Sequence, residues 1–207
     1  MIKSRKELNE YLAADAANYK RNDGIKGFLR HLTDSPISDQ KYIWKYIKAM
    51  RYAEYYINKY DSYRTPFALY YLNKLRKYGR LTGFQIHPNT CGKGLTIWHY
   101  GTIIINANAR IGEMCVIRPN ILIGHKIPGS PAPVIGNNVE INSGVRIIGS
   151  VTIGDDVIIG VNAVVNKDMD GDRDFDNLED YLLDQFVWRD GFRSITSATR
   201  RYAFMQK

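Results

Sequence analysis

The stretch VIGNNVEINSGVRIIGSVTIGDDVIIGVNAVV at residues 134–165 decides the fold. Apolar residues recur in it at every sixth position, and the same spacing continues from further back in the chain: Ile105, Ile111, Ile117, Ile123, Ile135, Ile141, Ile147, Ile153, Ile159 and Val165. Only the slot at Gly129 is skipped, and the phase is kept across the gap. A period of six fits neither a helix nor a single strand. It predicts a parallel β-helix of hexapeptide repeats, in which each short strand points an apolar side chain at the axis.

A second set of small or β-branched residues supports the same fold. These residues follow the apolar position by four places: Ala109, Cys115, Val139, Val145, Val151, Val157 and Ala163. Tight turns between short strands need such side chains. We therefore assign 83–169 to the β-helix.

Composition limits the class of protein. The chain has 207 residues, of which 44% are apolar and 24% charged, as in soluble globular proteins. No apolar run is long enough to span a membrane, and the charged start MIKSRKELNEYL lacks the apolar stretch of a secretory signal. We expect a cytoplasmic protein in which Cys91 and Cys115 are free thiols.

The positive charge is concentrated in one segment. Residues 39–82 carry 10 basic and 3 acidic side chains, whereas residues 83–169 carry 6 and 5. A nucleic-acid-binding protein usually spreads its basic face over its main domain. We therefore expect no nucleic-acid partner.

Residues 1–82 predict an α-helical N-terminal region. Ser4 and Glu7 have the spacing of a capping box at the start of a first helix. A second helix is predicted from Asp39 to about Lys59, and Pro66 opens a third that ends near Gly79. Lysines, arginines and tyrosines alternate in the last two helices. This pattern fits a helical cap on the coil, packing between subunits, or weak contact with an anionic membrane surface at the inner face of the membrane.

The remaining segment, 170–207, reads as an acidic linker followed by a short C-terminal helix. The run DMDGDRDFD at 168–176 suggests a calcium loop, but the ligand order, the glycine at position six and the closing glutamate are missing. We expect a linker and no metal. The predicted fold class is therefore α+β, with α-helices before and after a parallel β-helix along the sequence.

Two stretches carry a resemblance to a known family: FQIHPNTCGKGLTIWHYGTIIINANARIG at 84–112 and the repeats at 134–169. They resemble the hexapeptide-repeat acyltransferases, whose coils wind left-handed, and within them the serine acetyltransferases. The stretch GLTIWHYGTIIIN at 94–106 is especially similar to the O-acetyltransferases of capsule and exopolysaccharide synthesis. The resemblance implies an acetyl-CoA-dependent O-acetyltransferase that forms a homotrimer, with acetyl-CoA between the coils of neighbouring subunits.

Acetyl transfer to a hydroxyl needs a base that titrates near neutral pH, for which histidine is suited. The resemblance implies that this base is His99, although a surface histidine packed between Trp98 and Tyr100 would look the same in sequence. His125, which follows Gly124 at the skipped slot, either binds the acceptor, carries a second proton or is a plain loop residue.

The other two histidines are weaker candidates. We interpret His87, in the IHP element, as structural, and His31 has no partner visible in sequence.

The resemblance also implies a cofactor site made of small turn residues, in which backbone groups hold the pantetheine arm. The matching positions are Ser143, Gly144, Gly160, Val161 and Asn162, with Lys167 near the CoA phosphates. Any coil needs such turn residues, so this assignment and a purely structural one stay equally open.

Of the two substrates of the expected reaction, the acceptor is the one that the sequence determines less. Serine acetyltransferases have an aspartate where this chain has Gln85, an acidic residue where it has Trp98, and an Arg-His pair where it has Pro131-Ala132. Because a serine carboxylate needs an Arg-like partner, a saccharide hydroxyl is the expected acceptor, with Gln85, Trp98 and Tyr100 as its contacts. The alternatives are a serine O-acetyltransferase of cysteine biosynthesis and a non-catalytic scaffold protein.

Overall fold

The computed structural model describes residues 1–19 and 39–170. Three helices come first within these ranges: α1 (Arg5–Asn18), α2 (Gln40–Tyr60) and α3 (Pro66–Thr82). Short strands follow: β1 (Phe84–Ile86), β2 (Thr96–Ile97), β3 (Ile103–Ile105), β4 (Arg110–Ile111), β5 (Val116–Ile117), β6 (Ile121–Gly124), β7 (Val134–Ile135), β8 (Glu140–Ile141), β9 (Arg146–Ile148), β10 (Thr152–Ile153), β11 (Ile158–Ile159) and β12 (Val164–Val165). The predicted C-terminal helix, most of the calcium-like run and His31 lie outside the described residues.

The strands form three parallel sheets, one on each face of the coil. Sheet A has the order β1-β3-β6-β9-β12, sheet B the order β10-β7-β4 and sheet C the order β11-β8-β5-β2. Ile103 pairs with Ile121, so one coil takes 18 residues. Leu122 pairs with Arg146, 24 residues on. The six extra residues are the skipped slot at Gly129, which forms a loop between β6 and β7.

The coil interior contains the two predicted sets of apolar side chains. All ten period-six residues are buried, and so is the second set except for Val157, which is partly exposed. Cys91 and Cys115 are free and buried in this interior. Burial raises the pKa of Cys91 to about 12 and that of Cys115 to about 11. Both thiols therefore stay protonated near neutral pH, where they are poor nucleophiles.

The helix starts agree with the sequence, but one helix end does not. Ser4 and Glu7 form the predicted capping box, and Pro66 opens α3. The predicted end of α3 near Gly79 is wrong, because the helix continues to Thr82 and ends at Gly83, whose φ is +86°. Gly79 instead permits close packing, since a Cβ there would lie 2.7 Å from the carbonyl oxygen of Phe84.

Two tyrosines close the open edge of the first coil. The Tyr46 hydroxyl accepts a hydrogen bond from the Ile86 N–H (2.9 Å) and donates one to the Ile86 carbonyl (3.1 Å). The Tyr19 hydroxyl accepts from the Ile97 N–H (2.6 Å). An edge strand leaves such groups without partners. The helices therefore act as a cap that satisfies the backbone at the start of the β-helix.

A buried charge cluster joins α1 and α2. Arg51, Asp15 and Glu54 have almost no exposed surface. The Arg51 guanidinium donates to Asp15 Oδ2 over 2.8 Å and to Glu54 Oε2 over 3.1 Å. Burial is the largest influence on Glu54 and raises its pKa, although Arg51 favours its charged form.

The same cluster holds the helices on the first coil. Arg51 also donates to the carbonyls of Cys91 (2.7 Å) and Gly92 (2.5 Å). Its two carboxylate partners accept hydrogen bonds from the N–H groups of Leu95 (2.9 Å) and Asn89 (2.8 Å). Every member thus bonds to the backbone of residues 89–95.

Removing Arg51 should therefore destabilise the whole chain. In Arg51→Met two carboxylates stay buried without their cation, which costs about 3–5 kcal/mol of unfolding free energy. Urea unfolding followed by circular dichroism measures this loss. Lys59→Met, an exposed position on the same helix, is the matched control. Equal unfolding free energies for the two variants would show that the cluster does not hold the cap.

Candidate active site

One long edge of the β-helix gathers most of the predicted site residues. There the chain turns from sheet C into sheet A, at 98–102, 118–120, 142–144 and 160–162 in successive coils. We call this edge the His99 corner. Hydrogen bonds stack its turns, from Gly144 N–H to the Pro119 carbonyl (3.2 Å) and from Asn162 N–H to the Ser143 carbonyl (2.9 Å). It brings together Trp98, His99, Tyr100, Ser143, Gly144, Gly160, Val161 and Asn162.

Small residues at this corner follow from its backbone geometry. Asn120, Gly144 and Asn162 have φ values of 65°, 82° and 60°, in the left-handed region that glycine and asparagine tolerate best. A Cβ at Gly144 would also collide with the Asn162 side chain amide. Few large side chains therefore project from the turns at 142–144 and 160–162, and an extended ligand can approach their backbone.

His99 lies at the first turn of the corner with its side chain 72% exposed. Its Nδ1 is 3.4 Å from Oδ2 of Asp39, and the same oxygen accepts a hydrogen bond from the Tyr100 N–H (3.1 Å). The first distance is long for a hydrogen bond, but it places a carboxylate beside the ring. A carboxylate at Nδ1 favours the tautomer that carries its proton there, so that Nε2 keeps a lone pair.

Asp39 is the site residue that the sequence did not reveal. It precedes α2 at the N-cap position, yet its side chain makes no capping hydrogen bond and turns to the His99 corner instead. In the sequence, Asp39 stands at the start of a predicted helix. An aspartate in that position is normally explained as an N-cap residue, so nothing in the sequence pointed to a contact with His99. The position expected to hold such a carboxylate, Gln85, lies elsewhere.

A second edge carries the other histidine. The chain turns there from sheet A into sheet B, at 87–90, 106–109, 125–133, 149–151 and 166–168 in successive coils, and we call this edge the His125 corner. His125 Nδ1 is 3.1 Å from Asn106 Nδ2. The Asn106 Oδ1 accepts from the Asn108 N–H (2.9 Å), which fixes the direction of the amide. An amide nitrogen can only donate, so His125 accepts at Nδ1 and carries its proton on Nε2.

The two histidines are therefore suited to opposite tasks and lie apart. His99 presents a lone pair at Nε2, and His125 presents an N–H. The strand β3 (Ile103–Ile105) separates their corners by roughly 10 Å. One chain alone does not bring them into contact.

Of the two remaining candidates, Gln85 lies outside both corners, and His87 lies at the first turn of the His125 corner. Gln85 points outward from β1 into a groove between α3 and sheet A, and His87 lies at the end of the same groove. Within the described ranges no group of three or more His, Cys, Asp or Glu side chains is arranged to hold a metal ion. None of the three described helices has the length and hydropathy to cross a membrane.

Comparison with known proteins agrees with this architecture. Residues 132–167 match the family model described as bacterial transferase hexapeptide (six repeats). The serine acetyltransferase of Helicobacter pylori is 37% identical over 92 residues, which are 43% of this chain and 54% of that protein. The one from Synechococcus elongatus is 35% identical over 95 residues, 44% of this chain and 39% of that protein. The chain thus spans about half the length of the first relative.

Solved structures extend the likeness to the helical cap. The soybean serine acetyltransferase apoenzyme superimposes with a TM-score of 0.61 at 23% sequence identity. The match covers 80% of this chain and 64% of the soybean chain. A serine acetyltransferase in complex with CoA has a TM-score of 0.58 at 20% identity, over 80% and 65% of the two chains. The predicted left-handed parallel β-helix with a helical N-terminal region is confirmed. The chain contains hexapeptide repeats that match the bacterial transferase model over 132–167, and it resembles serine acetyltransferases, as its sequence indicated.

Proposed function

We propose that this protein is an acetyl-CoA-dependent O-acetyltransferase whose acceptor is the hydroxyl of serine. The observation that carries the proposal is His99, paired with a carboxylate on a coil edge lined by small residues. The names of the relatives support serine over the saccharide that the sequence favoured. The exposed Lys126, in the loop that lacks the Arg-His pair, offers a cation for a serine carboxylate.

In the proposed reaction, His99 is the general base. Its Nε2 takes the proton of the acceptor hydroxyl while the oxygen attacks the thioester carbonyl carbon. The carbon–sulfur bond then breaks, and the proton passes from His99 to the departing CoA sulfur. Asp39 holds the ring and stabilises the imidazolium between these two steps. No covalent enzyme intermediate is needed.

The edge at 142–144 and 160–162 suits the pantetheine arm, because the small residues Ser143, Gly144 and Gly160 leave room for an extended chain. Lys167 lies on the His125 corner rather than on this edge. We therefore propose that CoA lies between the His99 corner of one protomer and the His125 corner of its neighbour. The Nε2–H of His125 would then face the carbonyl oxygen that becomes negative during transfer.

A saccharide remains the second candidate acceptor, because one feature of the site favours it. Trp98 is 43% exposed directly beside His99, and an exposed indole face suits a sugar ring. Cytoplasmic location and weak contact of the basic aromatic helices with a membrane surface remain predictions.

Replacing His99 should remove activity without removing the cofactor. We expect His99→Gln to slow acetyl transfer from acetyl-CoA by about 10²–10⁴-fold, because the hydroxyl proton has no acceptor. Calorimetry should show unchanged CoA binding. The assay compares L-serine with neutral sugars, so it also decides between the two acceptors.

Lys93→Gln is the control, since this half-exposed lysine lies on the third edge of the coil, between sheets B and C. A His99→Gln enzyme as fast as this control would exclude His99 as the base. Transfer to a sugar but not to serine would replace the proposed acceptor with the second candidate.

Asp39 should act on turnover and not on binding. We expect Asp39→Asn to lower kcat by up to about 100-fold, because the ring loses its orientation, while KM for acetyl-CoA changes little. Asp39→Glu should recover part of the rate. Asp61→Asn, at the other end of α2, is the control. A raised KM with unchanged kcat would mean that Asp39 has no positioning role.

The site should be complete only in an oligomer. We propose a homotrimer, and sedimentation equilibrium should give three times the chain mass of 23.8 kDa. Mixing inactive His99→Gln and His125→Gln protomers should restore part of the activity, because some interfaces then pair an intact His99 with an intact His125. A monomeric mass, or mixtures that stay inactive, would contradict a shared site.

A further inference from the structure

A groove lies between α3 and the outward face of sheet A. Its volume is about 620 Å³, and its walls include Leu72, Arg76 and Arg80 of the helix and Gln85 and Ile104 of the sheet. Pockets of this size hold small organic ligands. The proposed acetyl-transfer chemistry does not use this groove, although His87 and Thr102 of the two corners lie in its wall.

The groove is formed by firmly packed elements. Gly79 lets α3 lie directly on β1, because a Cβ there would be 2.7 Å from the Phe84 carbonyl oxygen. Gly83 lies over Gly101 just as tightly, with a Cβ position 2.7 Å from the Gly101 oxygen. The Tyr46 hydroxyl ties α2 to β1 beneath the groove. A ligand would therefore find the shape already present.

The charge of the groove is positive and uncompensated. Arg76 and Arg80 lie one helical turn apart and are exposed, and neither makes an ion pair or hydrogen bond with the residues that the structure describes. No carboxylate lines the groove. Two acidic residues of the helical region are engaged elsewhere, Glu54 with Arg51 and Asp39 with His99.

We propose that this groove binds a phosphate-bearing organic ligand. Two guanidinium groups match the oxygens of a phosphate or pyrophosphate. Leu72 and Ile104 offer apolar surface to the uncharged part of the ligand, and Gln85 offers hydrogen bonds. At one end the groove reaches Thr102, three residues after His99, so the ligand can extend toward the His99 corner. The phosphate can belong to CoA or to a separate phosphorylated compound.

Inorganic pyrophosphate tests the anion site directly. Calorimetry at low salt should show binding to the wild-type chain and affinity weakened roughly ten-fold or more in Arg76→Gln/Arg80→Gln. Lys3→Gln/Arg64→Gln loses the same charge at exposed positions away from the groove. No binding to wild type, or equal affinities in the two double variants, would overturn the proposal.

Titrations with CoA and with uridine diphosphate glucose identify the source of the phosphate. A CoA affinity lowered only in the arginine variant would assign the groove to the acetyl donor. An affinity for the nucleotide sugar lowered in the same way would assign it to a phosphorylated ligand of its own. If neither falls, the groove binds no organic phosphate of these kinds. His99→Gln should bind pyrophosphate normally, so failure of the acetyltransferase proposal would leave this result unchanged.

Discussion

The buried Arg51 cluster is the constraint on which the rest of the molecule depends. A guanidinium with no exposed surface is tolerated only when its charge and its donors are satisfied. Arg51 meets that condition only if α1 supplies Asp15 and the first coil supplies two carbonyls. The helices can therefore dock in one arrangement. Apolar packing alone would allow small shifts of a helix on the coil, whereas these directional bonds do not.

That arrangement determines the candidate site. With α2 fixed at Arg51, its first turn reaches the coil edge where Asp39 meets His99. Because α3 packs antiparallel against α2, the docking of α2 also places α3 over β1. The basic groove lies between α3 and the sheet that contains β1. The cap thus has two roles. It completes the backbone hydrogen bonds of the first coil through Tyr19 and Tyr46, and it adds functional groups that the repeats lack.

The sequence predicted the coil well because its signal is local and repeated. Every sixth side chain faces the axis, so a six-residue pattern contains the packing itself. The end of α3 was mispredicted because glycine has two uses: Gly79 allows close approach and Gly83 supplies the left-handed turn. Asp39 could not be predicted, since its contact with His99 spans 60 residues and depends on how the helices dock. The opposite tautomers of the two histidines likewise follow from neighbours that no spacing reveals.

The repeats and the parts of the chain around them carry different information about the proposed reaction. The repeated edges carry the proposed base, the proposed hydrogen-bond donor and the proposed pantetheine site, and these elements would suit any hydroxyl that reaches His99. The acceptor must instead be recognised by what surrounds the repeats: Trp98, the loop with Lys126 and Pro131, and the face of the cap. Trp98 and Pro131 are among the positions at which the chain differs from the serine acetyltransferases that it resembles. Likeness over less than half of the chain therefore supports the acetyl donor more strongly than it supports serine.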